Sequence, residues 1–290
     1  MRPIPVLGEG QAPRRIRFAL VGCGRISTSH IEALARHRDH AELVAVCDID
    51  PKALRAAEER TGLPGYSSLD QLLAQVDCDA VILATPSGLH AAQAIRVAEA
   101  GRHVVTEKPM ATRWQDGLRM VEACDRAGRF LFVVKQNRLN PTVQLVKQAL
   151  VQRRFGRIYM ATCNVFWTRP QEYYDSAAWR GTWEFDGGAF MNQASHYVDL
   201  LDWLVGAVES VHAMTATLAR NIEVEDSGVV SIRWRNGALG SMNVTMLTYP
   251  KNLEGSLTIL GERGTVRLGG VALNRIDHWE FAEARPDDKQ

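Results

Sequence analysis

The chain has no excess of charge: 34 Lys and Arg stand against 33 Asp and Glu, a formal net charge of +1 over 290 residues. Without a basic surplus, or a Lys/Arg run interleaved with aromatics, nothing is offered to a phosphate backbone, and nucleic acid is excluded as the expected partner. Long apolar runs are missing too, none approaching the ~18–20 residues that a membrane span needs. Arg14-Arg15 ahead of Phe18-Ala19-Leu20-Val21 imitates an export signal. That stretch is too short and runs straight into a glycine loop, so a buried strand is expected instead. Cysteine is scarce: Cys23, Cys47, Cys78, Cys124 and Cys163 are odd in number and widely spaced, with no Cys-x-x-Cys. This argues against a disulfide framework and a zinc site, and for reduced thiols in a cytoplasmic protein without a metal.

What is present is ordinary globular composition, 46% hydrophobic and 23% charged, enough for one large or two modest domains. Residues 1–15, with three prolines and two glycines, read as a flexible lead-in. From there to about residue 138, apolar runs at 17–21, 43–47, 80–84, 103–106 and 130–134 alternate with helical patterns near 29–38, 52–60, 68–75, 89–100 and 113–127. Strands apolar on both faces, such as Ala80-Val81-Ile82-Leu83-Ala84, belong to parallel sheets covered on each side. The expectation is an α/β doubly wound Rossmann domain over 16–138.

Residues 139–290 read differently. A helical stretch from Pro141 to Val151 precedes β-rich segments, and Asn236-Gly237 separates two alternating runs, 229–234 and 238–244, as a hairpin turn does. Gly261 to Gly264 marks a second hairpin. This half is expected to be α+β with a mainly antiparallel sheet, serving substrate and assembly.

The chemistry starts at Gly22-Cys23-Gly24-Arg25-Ile26-Ser27, between the first strand and first helix. There a first glycine permits the tight turn, a second lets backbone approach a pyrophosphate, and a helix N-terminus receives the charge. Ser27 replaces the usual third glycine. Asp48, at the end of the second strand and 24 residues beyond Gly24, stands where an acid accepts from the adenosine ribose and disfavours a 2′-phosphate. NAD is therefore expected over NADP, with Asp50 left to cap the helix at Pro51. On a helix expected from Met191 to Val205, Asn192, His196 and Asp199 fall within an arc of roughly 60°. Ala194, Val198, Leu201 and Val205 form the opposing apolar stripe, so the polar trio is expected to face away from the core. A histidine has the basicity to take a proton from an alcohol near neutral pH.

Together with Ala84-Thr85-Pro86-Ser87-Gly88-Leu89-His90, Glu107-Lys108-Pro109, Gly187-Gly188-Ala189 and His196-Tyr197-Val198-Asp199, these motifs resemble the Gfo/Idh/MocA oxidoreductases over roughly residues 16–270. The resemblance implies a catalytic set of Lys108, His196, Asn192 and Asp199, in which Lys108 polarises or binds a substrate hydroxyl, His196 is the general base candidate, and Asp199 or Lys108 shares the proton work. Asn192 departs from the family, many members having aspartate there. An amide does not stabilise imidazolium as an anion does, so Asn192 is expected to orient substrate. The implied cofactor site comprises Gly22, Cys23, Gly24, Arg25, Ile26, Asp48, Thr85, Pro86, Leu89, His90, Glu107, Lys108, Gln136, Trp179 and Arg180.

Planar and cationic groups concentrate at Trp167, Arg169, Tyr173, Tyr174, Trp179, Arg180 and Trp183, suited to sugars or bases and to carboxylates or diphosphates. Substrate contacts are expected from Lys108, Arg138, Arg169, Tyr173, Tyr174, Asn192 and His196. Within the family the wording of 187–196 is similar to bacterial UDP-N-acetylglucosamine-type 3-dehydrogenases of surface-polysaccharide, including lipopolysaccharide, biosynthesis. That implies NAD-dependent oxidation of the 3-hydroxyl of a nucleotide sugar such as UDP-2-acetamido-2-deoxyglucuronate, NADH reoxidation by a 2-oxo acid in some relatives, and a homodimer or homotetramer. Alternatives are an inositol or simple hexose dehydrogenase and a non-catalytic NAD-binding sensor. Relatives usually continue into C-terminal helices beyond the point where this sequence stops.

Overall fold

The computed structural model describes residues 14–289, so the lead-in expected over 1–15 lies outside the described residues except for Arg14 and Arg15. The chain divides into two compact units, Met1–Val134 and Lys135–Gln290.

The first unit runs β1 (Ile16–Val21), α1 (Ser27–Arg36), β2 (Ala41–Cys47), α2 (Pro51–Thr61), β3 (Gly65–Tyr66), α3 (Leu69–Gln75), β4 (Ala80–Leu83), α4 (His90–Glu99), β5 (His103–Thr106), α5 (Trp114–Arg126) and β6 (Leu131–Val133). Its six strands lie in the order β3-β2-β1-β4-β5-β6, all parallel. The expected doubly wound sheet is thus present, with one strand added at the edge. All four residues of β4 are buried, as are Ala19, Leu20 and Val21 of β1, which is why these strands carry no alternation. The chain winds outward from β1 to β3, then returns to β4 and winds the other way. The carboxyl ends of β1 and β4 therefore form a switch point, the place where open α/β sheets bind ligands. Asp50 caps α2 by accepting from the Lys52 backbone N–H at 2.9 Å, just before Pro51 at the first helical position.

The second unit contains α6 (Pro141–Val151), β7 (Ile158–Phe166), α7 (Gln171–Asp175), α8 (Ser195–Val205), β8 (Val208–Ala216), β9 (Ser227–Trp234), β10 (Leu239–Thr245), β11 (Glu254–Gly261), β12 (Gly264–Gly269) and β13 (Arg275–Phe281). The seven strands follow the order β13-β12-β11-β7-β10-β9-β8, antiparallel except for the β7/β10 pair. Both expected hairpins form, β9/β10 around Asn236-Gly237 and β11/β12 across Gly261 to Gly264. One sheet face packs Cys163, Met242, Leu257 and the fully enclosed Trp234 in one core with α6 and α8 residues such as Val146, Tyr197 and Leu200. Burying a side chain of Trp234's size contributes about 3 kcal/mol. Val211, Met214 and Val229 remain exposed.

The helix expected from Met191 begins only at Ser195. Residues 189–194 form turns in which the Ala194 N–H donates to the Ala189 carbonyl, five residues back, at 2.8 Å, a wider step than an α-helix makes. Ala194, Leu201 and Val205 of the expected apolar stripe are buried, but the buried arc is turned toward the polar residues and leaves Val198 out. His196 is buried, beside Tyr197, Leu200, Leu201 and Leu204 in the helix's buried set, whereas Val198 is 47% exposed.

Candidate active site

At the carboxyl edge of the first unit, the loop after β1 is tied down on both sides. The Gly22 N–H donates to the Cys47 carbonyl and the Cys23 N–H to the Asp48 carboxylate, at 2.8 and 2.7 Å. Gly22 has φ +95°, and a Cβ there would lie 2.6 Å from the Ala84 backbone, so the residue is glycine because the β1 and β4 loops touch. Gly24 is the opposite case: a Cβ would meet nothing within 4 Å. Protein packing gives no reason for that glycine, and an approaching ligand does. Ser27 is buried, and its hydroxyl donates to the Gly24 carbonyl at 2.6 Å, so the serine in place of the third glycine closes the turn itself. Helix α1 opens with no side-chain cap and no acid in its first turn, leaving its N-terminal dipole for an anion.

Asp48 accepts from Cys23 with one oxygen and from the Asp50 N–H with the other, at 2.7 and 2.8 Å. Each carboxylate oxygen has a further lone pair for a ribose hydroxyl. Burial first, and then the charge of Asp48, push the Cys23 thiol up to about 11, so it is a neutral packing group rather than a nucleophile. These residues fit a dinucleotide: an open approach at Gly24, an uncapped helix end, and an acid at the end of β2.

The turn after β5 carries Glu107-Lys108-Pro109. Glu107 is buried; its Oε1 lies 2.9 Å from His30 Nε2, and its Oε2 accepts the Lys108 backbone N–H at 3.2 Å. Burial alone would raise the Glu107 carboxyl, but the His30 hydrogen bond and charge, with help from Lys108, hold it below its ordinary value. His90, at the first position of α4, is fully enclosed; Nδ1 lies 2.9 Å from the Pro109 carbonyl and Nε2 2.9 Å from that of Thr85. It therefore offers no ring atom to a ligand. Thr85, Pro86 and Leu89 are half-buried around it.

In the second unit, residues 135–138 run along α8. Lys135 Nζ donates to the Ser195 carbonyl at 3.3 Å, Gln136 Nε2 lies 3.4 Å from His196 Nε2, and Arg138 grips Asp199 with two bonds of 2.7 and 2.6 Å. Arg138, expected to contact substrate, and Asp199, expected in the catalytic set, are thus occupied with each other. Asn192 donates its amide to the buried Asp186, which also accepts the Gly181 N–H at 2.7 Å. The carboxylate that the sequence lacks at position 192 is therefore supplied to Asn192 from position 186.

The aromatic segment divides. Arg180 donates to the Tyr173 hydroxyl at 2.6 Å and stacks on Tyr173 and Trp179, while Arg169 stacks on Trp167 and Tyr173. These form one planar, cationic cluster. Tyr174 is instead buried edge-on against Tyr173 at 5.1 Å and serves the core. Three polar residues escaped the sequence reading: His30, Lys135 and Asp186. Asp186 had a local signal, an acid directly before Gly187-Gly188. The other two are visible only through their partners. Burial holds the Lys135 ammonium below its ordinary range despite Asp199 nearby.

Residues 16–135 match the family model described as "Oxidoreductase family, NAD-binding Rossmann fold", and residues 143–267 match that of the "GFO/IDH/MocA C-terminal domain". The WlbA dehydrogenase of Bordetella pertussis, solved with NADH and UDP-GlcNAcA, is 73% identical, with TM-score 0.94 over 95% of this chain and 84% of that one. The WlbA dehydrogenase of Chromobacterium violaceum, solved with the same two molecules, is 70% identical, with TM-score 0.95 over 100% and 83%. A more distant relative, D-apiose dehydrogenase of Paraburkholderia graminis, is 28% identical over 94% of this chain and 73% of its own length.

Proposed function

The chain belongs to the Gfo/Idh/MocA oxidoreductases, and from that membership we propose that it is the NAD-dependent dehydrogenase that oxidises the 3-hydroxyl of UDP-2-acetamido-2-deoxyglucuronate to the 3-keto sugar. The observation that carries the reading is the identity of 73% and 70%, spanning nearly the whole chain, to two dehydrogenases solved with NADH and UDP-GlcNAcA. Enzymes of other polyols and sugars stand far lower, D-apiose dehydrogenase at 28%. An inositol or hexose substrate, or a sensor without turnover, is not favoured.

The oxidation removes a hydride from C3 and a proton from its hydroxyl. Bound NAD supplies the hydride acceptor. Lys108 is assigned to hold and polarise the hydroxyl with its ammonium, and the proton goes to His196 or is shared with Lys108. Arg169 and Arg180, kept planar on Tyr173 and Trp179, suit the diphosphate or uronate carboxylate. The 3-keto group prepares that carbon for transamination in surface-polysaccharide synthesis, with NADH returned to NAD by a 2-oxo acid. The exposed apolar side chains Val211, Met214 and Val229 support a homodimer or homotetramer, and free cysteines together with the NAD site support a cytoplasmic setting.

The purified protein, given NAD and in turn UDP-GlcNAcA, UDP-GlcNAc, myo-inositol and glucose, tests this by nicotinamide absorbance and by loss of the sugar H3 signal in proton NMR. UDP-GlcNAcA should exceed every free polyol in kcat/KM by at least about 100-fold. Turnover of a free polyol alone, or binding of UDP-GlcNAcA without turnover, refutes the reading.

A further inference from the structure

Lys108 sits in a turn with no helix or strand of its own, yet the main chain on both sides of it is held. On one side the Glu107 carboxylate takes the Lys108 N–H while its other oxygen meets His30 of α1. On the other, His90 of α4 meets the Pro109 carbonyl with Nδ1. The same ring meets the Thr85 carbonyl with Nε2, so a single side chain joins the loops that follow β4 and β5. A histidine at the start of a helix needs no partner in the loop after β5 to be buried. This one reaches backbone on both loops, within one residue of the lysine.

We propose that His90 is a positioning residue for Lys108, fixing the lysine's turn through the Pro109 carbonyl and so setting where the ammonium is presented. This rests on Lys108 acting in the oxidation. Burial favours the neutral ring, which donates from one nitrogen at a time. The N–H then sits on Nδ1 and donates to the Pro109 carbonyl, and Nε2 against the Thr85 carbonyl is a close contact, not a hydrogen bond. A displacement of about 1 Å at a reacting group costs up to ~100-fold in rate, so a loosened turn shows in kcat before it shows in binding.

Two substitutions of similar size separate the contacts. In His90→Asn the side-chain amide falls near Nδ1 and keeps a donor for Pro109; in His90→Gln it falls near Nε2 and keeps Thr85 instead. With UDP-GlcNAcA and NAD, His90→Gln should lose about 10- to 100-fold in kcat. NADH affinity and sugar KM should stay within about 3-fold, and His90→Asn should recover most of the rate. Equal kcat in both variants and the parent protein overturns the proposal. A parallel fall of kcat, NADH affinity and melting temperature in both also overturns it, because that is loss of structure. If His90→Gln does not fold, His90→Asn decides: a folded, NADH-binding protein without turnover refutes the role, and retained turnover supports it. Lys108→Ala, measured alongside, tells the two failures apart. If it keeps full activity, the reading of Lys108 itself is wrong; if it is inactive while both His90 variants are normal, only the positioning role is.

Discussion

The two units place their functional side chains by different means. In the first, Gly22, Gly24, Asp48, Thr85 and Lys108 all come within a few residues after a parallel strand, and the strand order alone gathers them at one sheet edge. In the second, Gln136, Arg138, His196 and Asp199 owe their setting to pairings between residues 60 or 61 positions apart, and Asn192 to an acid six residues away inside a non-helical turn. The first kind of site is written locally and tolerates little change in backbone. The second is a network, in which each partner's loss strands another.

The largest effect should come from the chemistry each unit contributes. Lys108→Ala and His196→Ala should each lower kcat by about 100- to 10,000-fold, about 3–5 kcal/mol of transition-state stabilisation. Steady-state rates with UDP-GlcNAcA, beside NADH binding by fluorescence, measure this. NADH affinity should hold within a few-fold in both. If one variant loses nothing, the proton work belongs wholly to the other unit and the comparison must be redrawn.

Next come the two glycines, which separate fold from ligand inside one loop. Gly22→Ala puts a methyl 2.6 Å from the Ala84 backbone at φ +95° and should cost about 3 kcal/mol of stability, together with NADH binding. Gly24→Ala meets no protein atom. It should melt like the parent chain while binding NADH at least about 10-fold more weakly, about 1.4 kcal/mol. Calorimetry with NADH titration checks both. Equal melting temperatures for the two alanines would break the claim that only one glycine answers to protein contacts.

The same contrast explains what was legible beforehand. The Rossmann unit was readable because burial on both faces writes a continuous apolar run, as in Ala80–Leu83, and because glycine loops and post-strand acids are local in sequence. Only β3, two residues long, was too short to show any period. In the second unit the hairpin at Asn236-Gly237 was equally readable, its turn chemistry being local. Helix α8 was not. Residues 191–194 precede it in a turn that is not helical, so the expected start lay four residues early, and the exposure of Val198 inside the helix depends on packing that side-chain spacing does not record. His30, Lys135 and the Arg138–Asp199 pair were beyond reach because a long-range partner leaves no trace in spacing.

A smaller effect tests the network character of the second unit. Arg138→Met and Asp199→Asn each remove half of a two-bond ion pair in which Asp199 is mostly buried and Arg138 is 37% exposed. A double-mutant cycle read by chemical denaturation should give a coupling of about 1 kcal/mol, kept low by water at the arginine. Zero coupling would mean that the segment 135–138 is held on α8 by backbone and by Trp203, over which Arg138 also stacks.

Acid should expose the least of the differences. Glu107 in the first unit is held ionised by His30, and Asp226 in the second by the backbone N–H groups of Leu218, Ala219 and Arg220, in each case against the opposing effect of burial. Both carboxyls lie below their ordinary values. Each therefore contributes stability that is complete above the unfolded-state pKa and is lost as pH falls through the folded one. Unfolded glutamate titrates at a higher pH than unfolded aspartate, about 4.3 against about 3.9, so the loss begins earlier at Glu107. Hydrogen exchange on a descending pH series should show protection failing around β5 and α1 before it fails around β9, with the gap narrowing in Glu107→Gln. Simultaneous failure in the parent chain would mean that Glu107, held by His30 and the Lys108 N–H, is as secure as Asp226 with its three backbone donors, and that the two units do not differ in this respect.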